Sequence, residues 1–337
     1  MQQLDRKHHS VSVVRPDELG ENELSAWRGM QAAQPHLANP FLSPEFTLAM
    51  GEVSPSARVG ILSDEEGLAG FLPFELRARG VGSAIGDWVS LCQGVVHRPG
   101  AAFDADALLQ GLGLHVWEFG CLVERQPWFA PYETLSQQSV VLDLSAGYAE
   151  YSRALAGRSP KFYKSTLYKE RKLGRDAGEI SFTFASREPD DFRTLRRWKS
   201  DQYPRMGRAD RFAKPVGGGA ETERLHAIDT PSFAGPLSMM YVDGRPVAGH
   251  FGLRSDSVLV GWFPAYDPPS PSTPPASSST CAWPRPPRRR AGRHGPRHRH
   301  GLGVQGGVAQ PRRAGRRGCR APPHPRRRPC TARVTNP

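Results

Sequence analysis

Lysine, aspartate, glutamate, phenylalanine, tyrosine, isoleucine and methionine are all absent from residues 269–337 of this 337-residue chain. That stretch holds 16 Arg and 14 Pro instead, and a segment so poor in large apolar side chains cannot build a core. Residues 1–268 use another alphabet, with all 33 acidic residues beside 29 Lys and Arg. The body is therefore net −4, and the whole-chain charge of +12 belongs to the tail. A nucleic-acid or anionic-membrane partner, which the total charge suggests, finds no support in the body.

Other absences narrow the class. No apolar run approaches the roughly 18 residues of a membrane-crossing helix. Met1 to Arg15 is polar and lacks a signal-peptide apolar stretch, so export is not indicated. Only Cys92 and Cys121 lie in the body, which rules out a disulfide framework, fits a reducing cytoplasm and marks both as small core residues.

What is present reads as alternating strands and helices. Val11–Arg15 predicts a strand, and Pro16–Gln34 a helix with apolar spacing at Leu19, Leu24, Trp27 and Met30. Ala57–Leu62 and Leu68–Arg77 predict paired strands around the Asp64–Gly67 turn, Asp104–Leu112 a helix and His115–Val123 a strand. Ser139–Leu144 reads as a buried strand, Tyr148–Gly174 as one basic helix, Ile180–Ala185 as a strand and Pro189–Tyr203 as a helix. Asp243-Gly244 between Leu237–Val242 and Pro246–Leu253 is a hairpin signature, because glycine accepts the positive φ of a tight turn. A further strand follows at Val258–Phe263. Mixed elements in two similar halves imply an α/β (α+β) architecture in two units, 1–147 and 148–268.

Two readings of the tail stay open. One is a disordered Arg/Pro-rich arm, which would make the protein a nucleic-acid or polyanion binder. The other is out-of-frame translation of GC-rich DNA. Back-translating Pro268–Pro284 and reading two bases later permits Ala-Phe-Ala-Lys-Tyr-Ser-Pro-Gly-Leu-Ile-Leu-His-Leu-Arg-Met-Ala, a loop followed by an apolar helix start. Arg297–Gly306 read one base later permits Asp-Ile-Asp-Met-Gly-x-Gly-Tyr-Lys-Glu. Cys281, His294, His298, His300, Cys319 and Cys330 lack zinc spacing, so no metal is expected. Gly301-Leu-Gly303-Val-Gln-Gly306 matches G-x-G-x-x-G without a strand before it or a helix after it.

Several segments carry a family resemblance: Asn39-Pro-Phe-Leu-Ser-Pro-Glu-Phe46, Gly70-Phe-Leu-Pro-Phe74, Gly86-Asp-Trp88 with Gln93-Gly94, Trp198-Lys-Ser-Asp-Gln-Tyr203, Gly249-His-Phe-Gly-Leu-Arg254 and Trp262-Phe-Pro-Ala-Tyr-Asp-Pro268. On these the body resembles GNAT-superfamily acyltransferases of the cellulose-biosynthesis CelD type, related to FemAB-like aminoacyltransferases. The resemblance implies two tandem GNAT-like units, the second holding acetyl-CoA or another acyl-CoA as co-substrate. It also implies a small-molecule acceptor from the cell envelope or an exopolysaccharide. The shifted frame supplies the Ser-Pro-Gly-Leu loop that would cradle the CoA pyrophosphate on backbone amides. The chain as written lacks that loop, so weak acyl-CoA binding, little activity and an open edge in the second sheet are expected.

Within this resemblance His250 is a candidate general base, with a hydrogen-bonded core histidine as the alternative. Tyr266 and Asp267 could protonate a leaving thiolate or simply cap a turn. Asp87 and Gln93 would face the acceptor, although ordinary turn chemistry also explains Asp87. Lys199, Gln202 and Tyr203 share a helix end as substrate-binding candidates. Lys161, Lys164, Lys169, Arg171 and Lys172 form a basic helix face, either an anion site or a solvated surface.

Overall fold

The structure is a computed structural model that describes residues 10–213 and 219–267 together with the short strands 303–306 and 332–335. The chain runs through β1 (Ser10–Val14), α1 (Glu21–Ala32), α2 (Pro44–Val53), β2 (Ala57–Asp64), β3 (Gly67–Arg77), β4 (Val81–Ala84), β5 (Val96–His97), α3 (Ala105–Gly111), β6 (Val116–Phe119) and β7 (Val140–Asp143). It continues through α4 (Tyr148–Arg158), α5 (Pro160–Ala177), β8 (Ile180–Thr183), α6 (Pro189–Arg205), α7 (Ala220–Ala227), β9 (Phe233–Ala234), β10 (Leu237–Val242), β11 (Arg245–Ser255), β12 (Val258–Tyr266), β13 (Gly303–Gly306) and β14 (Ala332–Thr335). The mixed α/β architecture follows the expectation.

Two compact units result: 1–37 with 54–139 and 307–337, and 38–53 with 140–306. The first contains a sheet ordered β1-β2-β3-β4-β6-β14, with β5 also on β3. Its pairs are antiparallel except β4 with β6. Successive β3 side chains point to opposite faces. Phe71 stacks on Trp27 of α1, ring centroids 4.7 Å apart, while Leu72 and Phe74 join Leu108, Leu109, Leu112, Trp117 and Phe129 in one core cluster. Asp104 caps α3 by accepting from the Ala107 N–H.

The second sheet is ordered β7-β13-β12-β11-β10-β8, with β9 on β11. It follows the same plan, an antiparallel series interrupted by one parallel pair next to its last strand, here β12 with β13. An open edge is expected beside β12, yet Gly303–Gly306 occupies it and β7 pairs beyond. Those four residues include part of the G-x-G-x-x-G match, and they form a strand rather than a turn into a helix. The rest of the segment expected to be disordered, 269–302, 307–331 and 336–337, lies outside the described residues, as does the site of the Ser-Pro-Gly-Leu loop.

The β10–β11 turn forms as expected, with Asp243 and Gly244 at φ 49° and 73°, the pairing that suits a type I′ hairpin. Two expectations need correction. The single helix over 148–174 is two, because Pro160 has no N–H and forces Ser159 out of helical geometry, to φ −143° and ψ 63°. The strand read as buried at 139–144 is exposed, with Val140 and Val141 46% and 52% accessible. Phe182 of β8 and Phe184 just after it are exposed as well. No helix among the described residues is long and apolar enough to cross a membrane.

Candidate functional site

The C-terminal end of α6 assembles the densest group of expected site residues. Pro189 starts the helix, Asp190 and Asp191 sit in its first turn, and Gly207 at φ 68° closes it. These placements suit the helix dipole and the left-handed closing position. Lys199, Gln202 and Tyr203, three and four residues apart, fall on one face. Lys199 Nζ donates to Gln202 Oε1 at 3.0 Å and to the Pro264 carbonyl of β12 at 3.1 Å. It also lies 5.8 Å from the Tyr203 ring centroid.

The closing turn folds back so that the Arg208 N–H donates to the Tyr203 carbonyl at 3.0 Å. Burial pushes the Lys199 ammonium down to about 8, and repulsion from Arg208 adds to the fall. A fraction of this amine is therefore neutral near physiological pH.

His250 lies on β11 opposite Pro264. The β11–β12 register shifts between Phe251, which faces Phe263, and Gly252, which faces Gly261, leaving Trp262 as the extra residue of a β-bulge. The Trp262 N–H donates to His250 Nε2 at 3.1 Å. This contact places the ring proton on Nδ1. Burial, then repulsion from Lys199, pushes the imidazole down to about 4, so it is neutral at pH 7. Before His250 could take a proton on Nε2, it would have to release the Trp262 amide.

The two glycines flanking this histidine have steric reasons. A Cβ on Gly249 would lie 2.5 Å from Met239 Sδ and 2.9 Å from the Leu195 side chain of α6. One on Gly252 would lie 2.5 Å from the Val260 carbonyl oxygen.

The other expected residues are distributed differently. Tyr266 is exposed opposite Ala248, two residues along the strand from Pro264. Asp267 is held at the strand end by an ion pair with Arg245, and its N–H donates to the Val247 carbonyl at 2.9 Å. Asp87 follows Gly86 in left-handed geometry and pairs with Arg77 at 2.7 Å. Gln93 Oε1 accepts from the Gly120 N–H at 3.0 Å, and its backbone bonds both Cys121 and Val123. Gln93 thus ties its loop to the chain leaving β6.

On α5, Lys161, Lys164, Arg171, Lys172 and Arg175 fall within about 100° of arc at 100° per residue, with Lys169 about 60° outside it. Lys172 pairs with Asp176, Arg171 Nε donates to the Leu167 carbonyl at 3.2 Å, and no residue of α5 is buried.

Sequence reasoning missed one polar network. Buried Asp191 accepts from Ser186 Oγ and from the Tyr241 hydroxyl, joining α6 to β10. Burial, with help from Asp191, pushes Tyr241 up to about 12. An acid in the first helical turn looks like dipole pairing, and nothing in the spacing points to a tyrosine 50 positions away. Cys92, buried, has its thiol pushed up to about 12, and Cys121 is raised by burial too, so neither is a reactive thiolate near neutrality.

No curated protein matches the sequence. Similar solved structures include the C-terminal domain of a putative lysylphosphatidylglycerol synthetase from Agrobacterium fabrum, at 12% identity and TM-score 0.41 over 76% of this chain and 70% of that one. A tandem GNAT protein from the clavulanic acid biosynthesis pathway is similar at 7% identity and TM-score 0.37, over 77% and 79%. A conserved protein of unknown function from Bacteroides thetaiotaomicron is similar at 11% identity and TM-score 0.40, over 72% and 78%. At these scores the likenesses carry no argument. Residues 161–277, which include the α6 cluster and the β11–β12 bulge, match the family model described as Acetyltransferase (GNAT) domain.

Proposed function

We propose that the protein is an acyl-CoA-dependent N- or O-acyltransferase acting on a small-molecule acceptor of the cell-envelope or exopolysaccharide-precursor class. The observation that carries this reading is that the GNAT match spans the elements that gather Lys199, Gln202, Tyr203 and His250. The shared strand plan of the two sheets supports two tandem units of this type.

Acyl-CoA, when bound, supplies an activated acyl thioester. Lys199, partly neutral at pH 7, takes the proton that the acceptor amine or hydroxyl loses as it attacks the carbonyl. Gln202 and Tyr203 orient the acceptor, and the hydroxyl of Tyr266 returns a proton to the leaving thiolate. His250 holds the bulge at Trp262 rather than entering proton transfer. Asp87 and Gln93 shape an acceptor-facing loop of the first unit, and Asp267 fixes the end of β12. The basic face of α5 attracts phosphates of either substrate. No covalent intermediate on the protein is required, because positioning and proton transfer carry the step.

The tail is assigned to out-of-frame translation, and with the Ser-Pro-Gly-Leu loop missing the chain as written is impaired. Thioester consumption with amine and sugar acceptors, measured for this chain and for a frame-restored one, tests the reading. Turnover restored with the frame supports it. Absence of turnover in both chains would sink it.

A further inference from the structure

The cations of α5 differ from those of the other helices in how few acids answer them. Elsewhere helical arginines meet carboxylates: Arg28 with Glu21, Arg153 with Glu150, Arg193 with Asp190, Arg196 with Glu223 and Arg224 with Glu52. On the basic arc of α5 only Lys172 does so among the described residues, with Asp176. Lys161 and Lys164 stand three residues apart, and Arg171 and Arg175 four. Like charges at these spacings repel and cost the helix stability. An external anion would remove that cost.

The shape of the face narrows which anion. From Lys161 to Arg175 it runs about 21 Å at 1.5 Å per residue. A single phosphate reaches only part of such a run, whereas a surface of repeated phosphates matches all of it. Tyr168 falls inside the same arc and is 57% exposed. Its ring is amphipathic, and the stems of the flanking lysines are apolar below charged heads. Both suit the boundary between lipid headgroups and acyl chains.

Away from the cations, α5 is occupied by its own unit. The Tyr163 hydroxyl accepts from Ser152 Oγ of α4 at 3.1 Å. A Cβ on Gly174 would lie 3.7 Å from Ile180 Cδ1 of β8, so that flank is covered too. Glu170 lies about 150° from the centre of the basic arc. A planar surface meets one face of a helix, while the major groove of a nucleic acid encloses its flanks as well. With a flank covered and an acid on the far side, α5 fits the plane better than the groove.

We propose that the basic face of α5 docks the second unit on a bilayer surface rich in anionic phospholipids. Lys161, Lys164, Arg171, Lys172 and Arg175 meet the lipid phosphates, and Tyr168 sits among the headgroups. The rest of the body, acidic in total, is repelled by the same surface, so this face sets the orientation. The inference rests on α5 and not on the acyl-transfer reading.

The 16 Arg of residues 269–337 would bind anionic lipid through their own charge, so the readout has to be local. That segment has no lysine, and lysine labelling by an amine-acylating reagent therefore reports the body alone. The full chain is labelled with phosphatidylcholine vesicles that contain or lack phosphatidylglycerol, with Lys199 as internal reference. Slower labelling of Lys161, Lys164 and Lys172 is expected with phosphatidylglycerol only, and high salt should restore it. Lys164→Gln combined with Arg175→Gln should raise the phosphatidylglycerol needed for half protection of Lys161 and Lys172 about tenfold, with the circular dichroism unchanged. Tyr168→Gln should weaken protection and Tyr168→Trp should keep it. Three results overturn the proposal. Lysines of α5 labelled equally fast while the chain co-sediments with vesicles would assign lipid binding to the Arg-rich segment. Protection by duplex DNA or RNA but not by vesicles would make α5 a nucleic-acid face. Protection by neither would make it a solvated surface.

Discussion

The backbone N–H of Trp262, released from the ladder by the β12 bulge, ends on the imidazole Nε2 of His250 at 3.1 Å. One hydrogen bond thereby fixes the tautomer of a ring and the shape of a strand. Replacing His250 by Phe should leave that amide without its acceptor and lower stability by about 1–3 kcal/mol, while His250→Gln, which keeps an acceptor, should cost less.

The pH dependence carries a sign. His250 titrates near 4 in the folded chain against an ordinary 6.5. Between those values the unfolded chain binds the extra proton, so the His250 contribution to stability is flat above pH 6.5 and falls as the pH drops toward 4. His36, His97 and His226 are shifted the same way. Denaturant melts from pH 4 to 8 should show that His250→Gln has a shallower acid-side loss than wild type, and an equal slope would refute the assignment.

Gly252→Ala tests the bulge from the other strand. Its new Cβ would press on the Val260 carbonyl oxygen at 2.5 Å. Backbone cannot swing aside as a flexible side chain can. A loss of about 1–3 kcal/mol is expected, together with a change in the His250 ring-nitrogen spectrum. Gly249→Ala meets side chains instead, Met239 and Leu195, and should leave that spectrum nearer to wild type. Spectra altered equally by both changes would contradict the steric account.

Lys199 gives the activity prediction. With its amine near 8, the protonated form dominates at pH 7 and the neutral base grows as pH rises. The rate of thioester consumption by a frame-restored chain should therefore climb through about pH 8 and level off. Lys199→Met should lower it by about 10²- to 10⁴-fold, the usual worth of a positioned proton acceptor. A variant that keeps the same alkaline rise would show that the titrating group is another residue.

Local signals made much of the fold legible. The Asp243-Gly244 hairpin was legible from turn chemistry, and helices were placed at Asp104–Leu112 and Pro189–Tyr203, where α3 and α6 stand. Lys199, Gln202, Tyr203 and His250 could be named because they sit in short motifs, but their meeting at Pro264 depends on strand register. The bulge was not legible: nothing in Trp262-Phe-Pro-Ala marks an extra residue, since a bulge is a property of two paired strands. Phe41 packs edge to face on Trp262 at 5.3 Å, so a segment early in the chain belongs to the second unit, a long-range relation that periodicity does not encode. The helix break at Pro160 was written in the sequence and overridden by the basic pattern running across it. Exposure of Val140 and Val141 escaped because an apolar triplet reports a preference for burial, not the presence of a neighbour to supply it.

Those exposed positions give the last prediction. Val140, Val141, Tyr148, Phe182 and Phe184 are each at least 46% accessible. They fall into separate groups, Val140 and Val141 on β7 at one edge of the second sheet and Phe182 and Phe184 at the β8 edge opposite, and exposed apolar groups of this kind invite association. If residues 269–337 replace an in-frame segment that opens with Tyr-Ser-Pro-Gly and an apolar helix start, the restored chain is expected to cover some of these side chains. The chain as written should bind the dye ANS strongly and elute with a concentration-dependent size. The frame-restored chain should bind less dye, elute as a single species and show slower amide exchange at Val140 and Phe182. Equal dye binding and equal exchange in the two chains would mean that these exposed side chains are native to the fold, against the out-of-frame reading of the tail.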